Sequence, residues 1–144
     1  MPQFEMTGAH MPEFRELPPL TRGYVEAMFF TAPEPESDKE FDISEAGFSD
    51  LSEEALRRIV EDCDAFAAAH AEDIATLSGS SKVDYDEMSA GRDLWFTRNG
   101  HGVGFWDRGF EGAEGEAAER LSEAATAMGE VDLYATDDCE LDLS

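Results

Sequence analysis

The chain is predicted to fold as an α+β domain, with an antiparallel sheet of two hairpins packed against two or three helices. Three observations carry this. Residues 92–108 hold two short apolar runs, Leu94 to Thr97 and Val103 to Trp106, around Asn99-Gly100-His101-Gly102. Residues 131–143 hold two alternating runs around Thr136-Asp137-Asp138. Residues 52–78 repeat apolar side chains at three- and four-residue intervals, the pattern of a helix with one buried stripe. Helices of this kind cover one face of such a sheet.

Residues 1–19 carry Pro2, Pro12, Pro18 and Pro19. They are expected to form a loosely ordered arm ahead of a single globular domain, 20–144. Thr21 is expected to cap a short helix reaching Phe30, with Val25, Met28 and Phe29 inward and Tyr24 beside them. Gly23 weakens that helix, since glycine costs about 1 kcal/mol against alanine there. In 33–45 two prolines forbid a helix start before Ser37. Glu34, Glu36, Asp38, Glu40 and Asp42 recur at every second position. In extended chain they would point one way, ~6.6 Å apart. A solvated loop accounts for this. So does a comb of charge, because phosphates of one nucleic-acid strand rise ~3.4 Å each and lie farther apart along the wound backbone.

The longest helix is expected over 52–78, capped by Asp50 or Ser52. Leu56, Ile59, Val60, Cys63, Phe66, Ala67, His70, Ile74 and Leu77 make its stripe. Glu53–Arg57 and Glu54–Arg58 are i,i+4 pairs in the favourable order. Glu61, Asp62, Asp64, Glu72 and Asp73 give its outer face an acidic run, and His70 is expected as a packed structural histidine. Residues 84–91 are expected as a turn or short helix. The hairpin at 92–108 follows, since Asn-Gly between aromatic runs favours a tight turn. A two-residue and a four-residue loop are both open. Either places Leu94, Phe96, Val103 and Phe105 on one face and Trp95 and Trp106 on the other. The shorter loop sets Arg92 against Asp107, and the longer one sets Asp93 against Arg108. A further helix over 113–128, with Ala117, Leu121, Ala124, Ala125 and Met128 inward, stops at Gly129. In the second hairpin a three-residue loop sets Ala135 opposite Cys139, Leu133 opposite Leu141 and Val131 opposite Leu143.

The composition has one outlier. Thirty-four acids stand against ten bases, a net charge of −24, while 42% hydrophobic residues and ten phenylalanines fit a folded core. Soluble domains of this size ordinarily carry a net charge of about 2–8. Such an excess repels nucleic acid and anionic membrane, and it suits a basic protein surface. No signal-peptide succession and no apolar run of ~18 residues is visible, so a cytoplasmic protein is expected. The two cysteines, Cys63 and Cys139, lack zinc spacing and leave pairing open.

The candidate chemistry is thin. The glycines at 100, 102 and 104 precede a strand rather than a helix, and they match no phosphate-loop pattern. His101 sits at the expected turn tip, remote from Asp93 and Asp107. Asp84, Asp86 and Glu87 lack the glycine and final glutamate of a calcium loop. No catalytic residue, metal site or cofactor is therefore assigned, and the chain is expected not to be an enzyme.

The run W-F-T-R-N-G-H-G-V-G-F-W-D-R-G at 95–109, with G-E-V-D-L-Y at 129–134, resembles a group of small acidic proteins encoded by phages and mobile elements. The similarity covers roughly residues 20–135. It implies a viral or mobile-element origin acting in host cytoplasm, and it carries over no functional residues. Charge and resemblance together point to a nucleic-acid mimic. Such a mimic would inhibit a host nucleic-acid-binding defence enzyme of the anti-CRISPR or anti-restriction type by covering its basic surface. The expected contacts are Glu34, Glu36, Asp38, Glu40 and Asp42 with Glu61, Asp62, Glu72 and Asp73, and Glu111, Glu114, Glu116, Glu119 and Glu123 are expected to complete a strand-like track of charge. The alternative is salt adaptation, as in a haloarchaeal or haloviral protein, because Lys39 and Lys82 are the only lysines among the ten bases.

Overall fold

The computed structural model describes residues 13–31, 47–136 and 140–144. Among these residues five α-helices and one two-stranded antiparallel sheet form an α+β arrangement dominated by helix: α1 Pro19–Phe30, α2 Glu53–Ala69, α3 Ala71–Ser78, α4 Glu87–Arg98, α5 Gly112–Ala127, β1 Leu133–Ala135 and β2 Leu141–Leu143. Short 3-10 turns at Phe14–Glu16, Phe48–Asp50 and Phe105–Asp107 join them. The described part of the expected arm packs inward through Leu17, which is buried. α1 opens with Pro19 in its first turn, where a missing N–H costs nothing. Thr21 therefore lies inside the helix and is buried.

The expected hairpin at 92–108 is not there. Its first half is α4, and its second half is a loop closed by the Phe105–Asp107 turn. The start of α4 is fixed by Asp86: its Oδ1 accepts from the Ser89 backbone N at 2.8 Å, and Ser89 Oγ accepts in return from the Asp86 N at 3.3 Å. This reciprocal cap nucleates the helix. Its end is fixed by Asn99-Gly100. Gly100 has φ 66, its N donates to Thr97 O, and His101 N donates to Phe96 O at 3.0 Å. That is the pair of bonds of a Schellman stop, which needs the same positive φ as a hairpin turn. α4 also buries Ala90, Gly91, Asp93, Leu94, Trp95 and Arg98, on nearly all sides, so it has no polar face to reveal a helical period.

The expected face splits accordingly. Leu94 and Phe105 are fully buried, and Phe105 stacks on Phe66 of α2 at 6.1 Å between ring centres. Phe96 is only partly buried and Val103 is exposed. Trp95 and Trp106 do not share a face: Trp95 is buried edge-on against Tyr24, and Trp106 is 60% exposed.

The expected 52–78 helix breaks at His70, whose φ of −125 and ψ of 25 leave the helix between α2 and α3. Ser52 is the cap, accepting from the Ala55 N at 3.0 Å. The break swings Ile74 and Leu77 onto α5, while the His70 ring leans on Phe66 at 4.9 Å. α5 ends at Gly129, φ 81, as its sequence predicts.

β1 and β2 pair with Leu133 opposite Leu143 and Ala135 opposite Leu141. The expected register is therefore displaced by two residues, because the connection is longer: Thr136 N donates to Glu140 O at 2.8 Å. A shift of two keeps every side chain on its expected face. Val131 lies before the strand, buried, with its N donating to Asn99 Oδ1. The sheet is tied to α2 where Ser52 N donates to Leu141 O at 2.8 Å.

α1 and α4 pack most closely of all. A Cβ added to Gly23 would lie 2.0 Å from Met88 O, and one added to Gly91 would lie 1.8 Å from Leu20 O. The glycine that looks like a defect in α1 is what lets the two backbones touch. No helix among the described residues is long and apolar enough to cross a membrane.

Candidate partner-binding surface

The acids of this chain divide into those that hold the fold and those that face outward. Asp93 is fully buried. Tyr85 OH donates to its Oδ2 at 2.7 Å, and Arg108 Nε donates to the same oxygen at 3.1 Å. Burial and the adjacent carboxylate push the Tyr85 phenol far above its ordinary range, so it remains a donor. Of the two charge pairs open for the expected hairpin, Asp93–Arg108 forms, between α4 and the loop after it, while Arg92 pairs with Glu26.

Arg98 is the second anchor, with its side chain 2% exposed. Its Nε and Nη2 donate to Gly129 O at 2.8 Å and Met128 O at 3.1 Å, closing the C-terminal end of α5. Its Nη1 donates to Tyr24 OH at 3.2 Å and to Asp62 Oδ2 at 3.1 Å. A cation at a helix C-terminus offsets the partial negative charge there. Asp62, expected on the partner surface, is therefore an internal counter-ion, also approached by Arg58 at 3.9 Å.

Asp73 has the same fate. Arg120 of α5 grips it with both Nη2, at 2.7 Å, and Nε, at 3.0 Å. These hydrogen bonds hold the Asp73 carboxyl below the usual carboxylate range. Of the helix acids expected to contact a partner, Glu61 and Glu72 are exposed, whereas Asp62 and Asp73 are half-buried and engaged by Arg98 and Arg120. The break at His70 also puts Glu61 and Glu72 on different helices, so no single straight track joins them. Glu34, Glu36, Asp38, Glu40 and Asp42 lie outside the described residues.

The structure gathers a group the helical periodicity alone could not. α3 packs on α5, and this brings Glu72 and Glu116 both within electrostatic reach of Arg120. Glu116, Glu119 and Glu123 are exposed at i, i+3 and i+7 on one side of α5. Arg120 lies among them but is held by Asp73. The α5 acids were legible in the sequence as part of the 111–123 run. The contact that adds Glu72 of α3 to them was not.

The bases are spent in the same way. Arg15, Arg57, Arg58, Lys82, Arg92, Arg98, Arg108 and Arg120 each form an ion pair with a carboxylate. Exposed acids such as Glu61, Glu116, Glu119 and Glu123 therefore face solvent with little countercharge of their own. Comparison with family models, with curated proteins and with solved structures finds no match for the chain.

Proposed function

We propose that the chain is an acidic interaction protein that mimics nucleic acid and blocks the basic groove of a nucleic-acid-handling enzyme, of the kind phages and mobile elements turn against host defences. The observation that carries this is the allocation of charge. Among the described residues eight bases are engaged in ion pairs, and acids are left displayed on α3 and α5. Along α5 the exposed glutamates 116, 119 and 123 rise ~4.5 and ~6 Å apart at 1.5 Å per residue. Phosphates on one strand rise ~3.4 Å each, so the spacing approaches that of a single strand rather than a duplex. Such carboxylates would pair with the lysine and arginine side chains that otherwise hold phosphate. The comb at 34–42 would extend the display. No catalytic role is assigned to any residue.

The experiment is capture of the partner enzyme from host lysate, followed by competition with the enzyme's own nucleic acid. Mutual exclusion, with association that slows steeply as salt rises, is expected. An enzyme that holds both at once, neither weakening the other, rules mimicry out. Salt adaptation draws on the same exposed acids and on the scarcity of lysine. Circular dichroism separates the two, because a mimic is folded in ordinary buffer and a salt-adapted chain folds only as salt approaches molar concentration.

A further inference from the structure

We propose that Trp106 is the aromatic anchor of the partner-binding surface, and that its indole stacks on an arginine of the basic protein the chain binds. This rests on the reading of the chain as a binder of basic surfaces, and it adds the one contact there that charge alone does not make. The turn that carries Trp106 is held on both sides. Phe105, before it, is fully buried and stacks on Phe66. Arg108, two residues after it, donates through Nε to Asp93 Oδ2 at 3.1 Å. Within the turn Gly104 N donates to Asp107 Oδ1 at 3.0 Å, and Asp107 N donates to Gly104 O at 3.3 Å. Gly104 is pressed against α4, since a Cβ there would lie 2.1 Å from Thr97 Oγ1. Between these fixed points Trp106 is 60% exposed, and Val103 of the same loop is exposed too. Among the described residues the Trp106 Nε1 has no hydrogen-bond partner and its ring meets no other ring. Trp95 is the contrast: it is buried, edge-on to Tyr24, and its Nε1 donates to Thr31 Oγ1 at 2.7 Å.

A tryptophan held outward in this way adds little to the core. It is well placed for binding, because the backbone beneath it is already ordered and exposed aromatic anchors carry a large share of interface energy. Charge selects what covers it. A nucleic-acid base stacks on an aromatic ring within a basic surround. Here the nearest bases in sequence are taken, Arg98 by Asp62 and Arg108 by Asp93. The turn also packs on α5, the helix that displays Glu116, Glu119 and Glu123. With a net charge of −24 over the chain, the complement is a cation. Indole is the best aromatic partner for a cation, and the planar guanidinium is the cation that stacks. Proteins that hold single-stranded bases use arginine planes as stacking surfaces. Trp106 would take the place of the base on such a plane, while the glutamates take the place of phosphates.

The probes are N-acetyl octaarginine amide and N-acetyl octalysine amide, equal in charge, each titrated into the full chain. The two indole N–H signals are followed by NMR, with buried Trp95 as the internal control. Both peptides should bind, and both should weaken steeply as salt rises. The arginine peptide should move the Trp106 signal saturably and farther than the lysine peptide does, and neither should move Trp95. Trp106→Ala should weaken the arginine peptide about two- to fivefold, the worth of an exposed cation–π contact, and the lysine peptide less. Trp106→Phe keeps a ring in place and should fall between. Glu119→Gln with Glu123→Gln should weaken both peptides alike, which reads the charge by itself. A Trp106 signal no more responsive to arginine than to lysine, or a Trp106→Ala chain that keeps its full preference for arginine, overturns the anchor and leaves the charge reading standing. Binding of neither peptide overturns both.

Discussion

Asp93 and Glu119 are both acids on helices, and they do opposite work. Asp93 is fully buried, takes hydrogen bonds from Tyr85 and Arg108, and fixes the loop after α4. Glu119 is exposed on α5 between Glu116 and Glu123, three and four residues away. Like charges at those spacings cost a helix about 0.2–0.5 kcal/mol each. A net charge of −24 is therefore not one property of this chain. Inner acids stabilise specific contacts and neutralise Arg98, Arg108 and Arg120. Outer acids work against the fold, so their retention needs a reason outside it.

Removing a partner from an inner acid tests this division most severely. Arg108→Ala strands the Asp93 carboxylate with Tyr85 alone and should cost ~3–5 kcal/mol, read by urea denaturation. A loss near zero would mean the pair is ornamental. Asp62→Ala should cost less, ~1.5–3 kcal/mol, since Arg98 keeps Tyr24, Met128 O and Gly129 O.

Asp73 sharpens the boundary, because it is an inner acid near the surface, 16% exposed. Its folded-state pKa is lowered by Arg120, so its contribution to stability is present above its unfolded pKa of ~3.9. The contribution is lost as pH falls through the folded value. The stability difference between the parent chain and Asp73→Asn should therefore be constant near neutrality and shrink from pH ~4 downward. A difference that persists unchanged in acid would place the effect in packing instead. The smallest effect has the opposite sign: Glu119→Gln with Glu123→Gln should raise stability by a few tenths of a kcal/mol and lower affinity for a basic partner.

How far the sequence could be read depended on what each element had to declare. α5 and the C-terminal strands declared themselves by period: Ala117, Leu121 and Ala125 are buried as their spacing requires, and Leu133, Leu141 and Leu143 lie on the expected side. The strand register was not legible, because faces depend on parity and register depends on loop length. α4 was misread because a helix buried nearly all round shows no amphipathic period, and because Asn-Gly serves a helix stop as well as it serves a hairpin. The break at His70 contains no proline or glycine to announce it. In the candidate surface Glu61 and Glu72 were placed outward correctly. Asp62 and Asp73 were not separable from them, because their partners, Arg98 and Arg120, come from helices distant in the chain.

The crossing of α1 and α4 at Gly23 and Gly91 bears on how the chain reaches this structure. Arg92 meets Glu26 across 66 positions of sequence. The closest packing in the molecule therefore joins segments that begin far apart, and α2 and α3 must be looped out before it forms. Closing such a loop costs entropy before any contact repays it. Folding should accordingly be slower than in a bundle whose neighbours in space are neighbours in sequence. Until Gly23 meets Met88 and Gly91 meets Leu20, the surfaces of α1 and α4 stay open, and the core is gained late and together rather than helix by helix.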